Sequence, residues 1–307
     1  MSNKIKLIFL GTSASLPTSK KNLTSVLINY QGQNHLFDCP ENVQQQIMKS
    51  KQSIMKIKNI FITHFHGDHF FGIFGLLSTM NLNNREEGLT IYLPEKNKQN
   101  FLDILNSAQI NCSFNITVVG IKKEQIIYSD KNLNIESVKL DHTISTFGFI
   151  FKIKDTLGKF NREKALKLKI PEGPLFSKLS EGKSIKINGK VITPNQVIDT
   201  KFKKIGKKIL YLTDTKIIPV NKKLLDSDIL IHECTFGKEE EKKANLVKHS
   251  TSVGVAGFAK KIKAKHLYLV HISSRYQETD NILTESSKLF KNTMIPKDLD
   301  TLEIDDY

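Results

Sequence analysis

Short blocks of apolar residues, many of them branched or aromatic, recur along the chain and read as strands. Ile5–Leu10 and Thr24–Tyr30 are two such blocks, joined by a loop containing Gly, Ser and Pro, which predicts an early sheet. Further strands are expected at Asn59–Ile62, Thr90–Leu93, Phe114–Val119, Ile135–Leu140, Phe147–Ile153, Lys208–Thr213, Ile229–His232 and His266–Val270. Between many of them the apolar residues shift to helical spacing, at Val43–Lys49, Asn100–Asn106, Ser252–Lys263 and Ile282–Phe290, with a buried helix starting at Phe70–Leu77. Two strand-rich halves with helices interspersed predict an α/β fold of stacked sheets covered by helices. One stretch, Lys152 to about Lys186, breaks the rhythm: it is rich in Lys, Gly and Pro and carries the turn-prone Pro171-Glu172-Gly173-Pro174. Such an insert is either a solvated linker or a projecting binding arm. No internal repeat is visible.

A hydrophobic content of 39% over 307 residues is enough for a sizeable core, so a folded chain rather than a disordered one is expected. No segment approaches the length of a membrane-spanning helix, and Met1–Lys6 leads straight into a strand-like run, so a soluble cytoplasmic protein with no membrane partner is expected. Cys39, Cys112 and Cys234 are too few and too scattered for a disulfide framework, which fits a reducing compartment. The net charge of +15 points to a polyanion, most simply nucleic acid, although scattered lysines also make an ordinary solvated surface. Clustering decides between these, and Lys152–Ile170 holds seven Lys/Arg against Asp155 and Glu163.

The chemistry concentrates in Thr63-His64-Phe65-His66-Gly67-Asp68-His69, which packs three histidines and a carboxylate into six positions between a strand-like and a helix-like segment. Imidazole nitrogen and carboxylate oxygen suit zinc, manganese or iron, and a short loop can aim alternate side chains at two adjacent cations. Two cations about 3.5–4 Å apart need more ligands than one loop supplies, so distant residues at strand ends should complete the site. His142, Asp214 and His271 each follow an apolar run and are the candidates.

These motifs resemble the metallo-β-lactamase-fold hydrolases and, within them, the short form of the ribonuclease Z family. The matching blocks run almost end to end: Phe9-Leu10-Gly11-Thr12, Phe37-Asp38-Cys39, Ile60–Gly75, Asp214-Thr215, His232-Glu233-Cys234-Thr235-Phe236, His249-Ser250-Thr251 and His271-Ile272-Ser273-Ser274-Arg275-Tyr276. The resemblance implies a four-layer αββα sandwich over residues 1–307 with an inserted basic arm at about 152–186. It implies that His64, His66 and His142 hold one ion, that Asp68, His69 and His271 hold the other, and that Asp214 bridges. Two Zn²⁺ per subunit are the expected cofactors, with other divalent transition metals open on chemical grounds. Asp68 would orient the attacking water or take its proton, and His249, paired with Glu233, would supply the proton that the leaving 3′-oxygen needs. His35, His232 and His266 read as structural.

The implied activity is zinc-dependent endoribonucleolytic removal of the 3′ trailer from precursor tRNA, leaving a 3′-hydroxyl on the tRNA and a 5′-phosphate on the trailer. The expected partners are precursor tRNA, not DNA, and a second subunit in a homodimer. The insert is similar to the family's exosite arm, so Lys152, Lys154, Lys159, Arg162, Lys164, Gly173 and Pro174 are expected at the tRNA, with Arg275 from the last motif. The alternatives are a small-molecule phosphodiesterase or arylsulfatase of the same superfamily, which would have no use for a basic arm, and a non-catalytic RNA-binding module, which would have no need of seven ligands. The family's Gly-Glu-Gly is here Pro40-Glu41-Asn42 and its basic Pro-x-Lys-x-Arg-Asn loop is only partly kept in Pro17–Asn22; neither departure touches a ligand.

Overall fold

The computed structural model describes residues 4–307, which form two compact units. The larger takes the chain up to Lys152 and again from Lys208 to Asp306. It is built on two seven-stranded sheets. In spatial order the first holds Thr301–Asp305, Lys4–Gly11, Ser25–Tyr30, Gln33–Phe37, Ile57–Phe61, Leu89–Pro94 and Ile116–Ile121. The second holds Thr293–Met294, His266–Val270, Ile229–Glu233, Lys208–Leu212, Phe147–Ile153, Leu133–Lys139 and Ile126–Ser129.

The inner faces of the sheets meet through large aromatic rings. Phe37 packs on Phe149 and Tyr211 at centroid distances of 5.8 and 5.6 Å, and Phe61 on Phe149 at 5.4 Å. The outer faces are covered by helices that supply the apolar stripes read from the sequence. Val43, Ile47, Ile73, Leu76, Met80 and Phe101 bury themselves against Leu36, Ile60 and Ile91 of the first sheet. Val255, Phe258 and Ile282 do the same against Leu210, Leu230 and Leu267 of the second. Strands such as Lys208–Leu212, enclosed on both faces, therefore carry a continuous apolar run, Ile209–Leu212, without alternation. The layers are helix, sheet, sheet and helix, as the αββα expectation requires.

The smaller unit spans Ile153–Lys207 and includes Tyr307, so the inserted region runs some twenty residues beyond the expected end near Lys186. It is more than a linker. Helices Arg162–Lys167 and Pro174–Ser180 and two short ribbons enclose Ala165, Ile170, Leu179, Ile185, Ile192, Val197 and Ile198 in a core of their own. Four of those seven residues lie between Ile185 and Ile198, so the unit is complete only with its return segment. The Asn161 side chain caps the first helix by accepting from the Lys164 N–H, and Pro174 opens the second at a position where no intrahelical donor is needed.

Among the described residues no helix is long and apolar enough to cross a membrane. Several elements were not foreseen from the sequence: the strands Gln33–Phe37, Ile126–Ser129 and Thr301–Asp305 and the helix Glu241–Val247.

A buried arginine ties the larger unit together. Arg85 donates from Nε to Glu87 O (2.7 Å), from Nη1 to Met55 O (2.9 Å) and from Nη2 to Ile57 O and Gly88 O (2.8 and 3.0 Å). Replacing it by Met keeps volume but leaves these carbonyls without their partner. Arg85→Met should therefore cost on the order of 3 kcal/mol in urea unfolding, with the m-value unchanged. A loss below about 0.5 kcal/mol would show that water satisfies these carbonyls instead.

Candidate metal centre

The carboxyl ends of the parallel strands in the second sheet share one edge. Leu212 is in register with His232, and Glu233 with Val270, so Asp214, Glu233 and His271 emerge side by side as each strand ends. This is where ligands bind in open α/β sheets. The chain turns sharply there: Asp214 has φ 49° and His271 φ 54°. Asp38, at the end of Gln33–Phe37 in the first sheet, has φ 57°. Left-handed backbone at three non-glycine residues is the kind of strain that functional sites retain.

The histidine loop leaves Ile57–Phe61 and enters the short helix Gly67–Phe70. It is braced from beneath by Asp38, which accepts from Thr63 N–H (2.8 Å), Thr63 Oγ1 (3.0 Å), His69 Nδ1 (2.8 Å) and Tyr211 OH (3.0 Å). The following helix starts at Gly72, where an added Cβ would lie 1.8 Å from Pro40 O, so only glycine lets the two backbones approach.

All seven sequence-predicted ligands converge. Ligand atoms of His64, His66, His142 and Asp214 lie within 4.8 Å of one another, as do those of Asp68, His69 and His271. Asp214 faces both sets with different oxygens. Oδ1 is 3.3 Å from His69 Nε2 and 3.2 Å from His271 Nε2, while Oδ2 is 3.7 Å from His64 Nε2 and 3.9 Å from His142 Nε2. The histidines are oriented through their other nitrogen. His69 Nδ1 donates to Asp38, His142 Nδ1 to Lys248 O (3.2 Å), and His271 Nδ1 meets Thr235 Oγ1 (3.0 Å), so in each case Nε2 is turned inward.

The donor set fits divalent transition metals. His69 Nε2, His271 Nε2 and Asp214 Oδ1 are buried and make no hydrogen bond among the described residues, a costly arrangement unless a cation takes their lone pairs. Burial, and then the charge of neighbouring histidines, pushes His64 well below its ordinary pKa, and burial lowers His66 and His142 as well. Neutral imidazole is the ligating form.

His249 differs from its neighbours. Burial alone would lower its pKa, but the Glu233 carboxylate, 2.7 Å from Nδ1, outweighs burial by charge and hydrogen bond and raises it to about 9. Glu233 is buried, and its second oxygen accepts from Thr235 N–H and Oγ1 (3.0 and 2.8 Å). His249 can also be grouped with Asp214 and His271 as a three-ligand set, but an imidazolium held by a carboxylate is a proton donor and has no lone pair to offer.

The remaining expected residues lie elsewhere. Arg275 donates to Glu240 (2.6 Å) and Ser273 (3.0 Å), stacks over Phe236, and lines a cavity of about 490 Å³ with His249, Lys243 and Ser274. Lys152 ends the first stretch of the larger unit, and Lys154, Lys159, Arg162, Lys164, Gly173 and Pro174 belong to the smaller one. Arg162 pairs with Glu172 there. His35 and His232 are buried and locally bonded, to Asn59 and to Glu233 O, and His266 is exposed. The supporting residues Asp38, Tyr211 and Thr235 were not singled out from the sequence. Two of them stand in matched motif blocks, which was the one available signal.

Two seven-stranded sheets between helices, with a His/Asp cluster at the strand ends, define a metal-binding protein of the metallo-β-lactamase fold. The human short-form tRNase Z superposes with a TM-score of 0.68 at 25% identity, covering 97% of this chain and 98% of that one. The metallo-β-lactamase fold protein YhfI of Bacillus subtilis, at 15% identity and TM-score 0.67, shares the fold over 98% and 100% of the two chains. A family model described as anti-Pycsar protein Apyc1 matches residues 5–159, and this half of the chain falls within that family; the match ends before Asp214, Glu233, His249 and His271. Over its whole length the chain belongs to the ribonuclease Z family. It is 38% identical over 303 residues to the ribonuclease Z of Methanosarcina mazei, covering 98% of each chain. With the ribonuclease Z of Bacillus thuringiensis it shares 36% identity over 309 residues, covering 98% of this chain and all of that one.

The His249–Glu233 pair gives a direct test. A folded-state pKa above the ordinary 6.5 means that this interaction stabilises the fold fully below pH 6.5 and that the contribution is lost as pH rises through about 9. Ring-labelled histidine NMR should place His249 near 9, and Glu233→Gln should move its midpoint down. The stability gap between parent and variant should shrink across the same window. A midpoint that ignores Glu233→Gln would remove the pairing.

Proposed function

We propose that this chain is a zinc-dependent endoribonuclease that removes the 3′ trailer from precursor tRNA, leaving a 3′-hydroxyl on the tRNA and a 5′-phosphate on the trailer. The observation that carries the reading is the proton donor His249, held by Glu233, beside a seven-residue cluster whose central carboxylate faces two ligand sets. His64, His66 and His142 would hold one Zn²⁺, Asp68, His69 and His271 the other, and Asp214 both. When bound, such a pair lowers the pKa of a water and neutralises charge on the phosphoryl oxygens. Asp68, the more exposed of the two carboxylates in the cluster, can orient the attacking water and accept its proton. His249 donates to the departing 3′-oxygen, and Glu233 stabilises the imidazolium until that step.

The smaller unit suits a polyanion. Residues 153–207 carry fourteen Lys/Arg against five Asp/Glu, a net +9 of the chain's +15. We assign it as the tRNA-binding arm, with Lys154, Lys159, Arg162, Lys164, Gly173 and Pro174 among its contacts and Lys152 and Arg275 assisting from the larger unit. A homodimer, and action in the reducing cytoplasm, complete the proposal. The cytoplasmic assignment is supported by Cys39, Cys112 and Cys234, three free cysteines too few and too scattered for a disulfide framework.

Mapping the cut on a precursor-tRNA transcript tests the activity. Cleavage should fall after the unpaired nucleotide that follows the acceptor stem, and both chelation and Asp68→Ala should abolish it. Cleavage that persists in metal-free protein, or cuts scattered through the transcript, would sink this reading.

The arm has a separate test. Lys152 and Lys208 face each other across antiparallel strands, so residues 153–207 can be replaced by a short Gly/Ser turn. The deletion should weaken precursor-tRNA binding and flatten its dependence on salt, because counterion release scales with the phosphates neutralised. Hydrolysis of bis(p-nitrophenyl) phosphate, where the intact protein performs it, should persist. Equal affinity and salt slope with and without the unit would refute its role.

A further inference from the structure

The helix Glu241–Val247 ends in Lys248, whose backbone is left-handed at φ 57° and ψ 50°. Helix ends place Gly or Asn at such a position, because a Cβ is disfavoured there. The contacts of this lysine give it a purpose. Its ammonium donates to Asp141 Oδ1 (2.8 Å) and to His142 O (3.4 Å), while its own carbonyl accepts from His142 Nδ1 (3.2 Å). The next residue is His249, whose backbone N–H is fixed on Ala244 O (2.8 Å). The rings of His142 and His249 stand 5.0 Å apart. A single residue thus fastens the turn carrying His142 to the helix end carrying His249.

We propose that Lys248 is a positioning residue that sets His142 for metal binding and fixes its spacing from the proton donor His249. This rests on the reading of His142 as a ligand. The two halves of the clamp are chemically separable. The carbonyl bond to His142 Nδ1 survives any substitution, whereas the ammonium bonds need a cationic side chain. Without them the Asp141–His142 turn keeps the carbonyl bond and its bonds to the neighbouring segment, Asp141 N–H to Thr215 Oγ1 (3.0 Å) and Lys216 N–H to Asp141 O (3.0 Å), but loses its side-chain tie to the helix end. His142 Nε2 is then held less firmly against Asp214 and His66, with which it shares the first candidate ligand set.

The experiment loads the full-length protein with Zn²⁺ and titrates it with a chelator, reading metal retained, thermal midpoint and, on precursor tRNA, kcat and KM. Lys248→Gly and Lys248→Met should each release part of the zinc at about ten-fold lower chelator than the parent, as loss of a group orienting a ligand does. kcat should fall while KM holds. Lys248→Gly should do this with an unchanged or higher midpoint in the metal-free protein, because glycine suits the left-handed backbone, and Lys248→Arg, which keeps the charge, should restore most of the retention. Parental zinc retention and kcat in both Lys248→Gly and Lys248→Met would overturn the clamp. So would a metal-free midpoint of Lys248→Gly well below that of the metal-free parent, since that marks a purely structural role. His142→Ala separates the two readings. If it retains zinc as the parent does, the ligand assignment fails and the clamp with it; if it loses zinc while the Lys248 variants do not, the clamp alone fails.

Discussion

Asp214 sits at 3% exposure with two imidazole nitrogens within 3.3 Å of one oxygen and two within 3.9 Å of the other. A carboxylate in that position has left water without finding ordinary donors, since the first oxygen makes no hydrogen bond. Each unsatisfied buried group costs about 1–3 kcal/mol, and more when charged. The surrounding histidines that burial keeps neutral cannot offset this by charge. What resolves the arrangement is a cation accepted by both sets of donors. The rest of the larger unit follows from that requirement: strands that end together, left-handed turns at Asp214 and His271, and a second sheet close enough to deliver the His64–His69 loop.

Holding seven donors around an unfavourable centre needs a rigid surround, and two polar hubs supply it. Asp38 anchors the loop from the first sheet and reaches Tyr211 in the second. Thr235 joins Glu233, His249 and His271 through one hydroxyl, at 2.8, 3.2 and 3.0 Å. Because both hubs are buried, a small displacement of Asp38 would shift the His64–His69 loop and one of Thr235 would shift His249 and His271 together. Lys248 adds a third tie, at the rim, between His142 and His249.

The sequence revealed ligands far more readily than their supports, and the reason is locality. His64, His66, Asp68 and His69 are legible because the chemistry is written in six consecutive positions, and His142, Asp214 and His271 because each terminates an apolar run. Asp38 carries no such mark: its partners Thr63, His69 and Tyr211 lie 25, 31 and 173 residues away. The strand Gln33–Phe37 was missed because Gln33, Asn34 and His35 hide its apolar face, although Asn34 and His35 are buried and bonded to Ser53 O and Asn59. The insert misled for a related reason. Its core residues are separated by lysines and turns, so no window shows a clear period, and its last apolar contributors, Ile192, Val197 and Ile198, lie beyond the Lys-, Gly- and Pro-rich stretch that ends near Lys186.

Within the cleft, chemically identical side chains acquire different jobs from their surroundings. His64, His66 and His142 are driven toward the neutral form chiefly by burial. His69 is more deeply buried than His66 and His142, yet Asp214 and Asp38 on either side outweigh that burial and raise it. His249 is raised as well, but its partner Glu233 lies outside the two ligand sets and is satisfied by Thr215 N–H, Thr235 and the imidazole itself. A cation entering the cluster therefore displaces the need for a proton at His69 while leaving the carboxylate behind His249 in place. The same cleft can hold neutral imidazoles and a protonated His249 at one pH because the carboxylate supporting His249 lies outside the two candidate ligand sets.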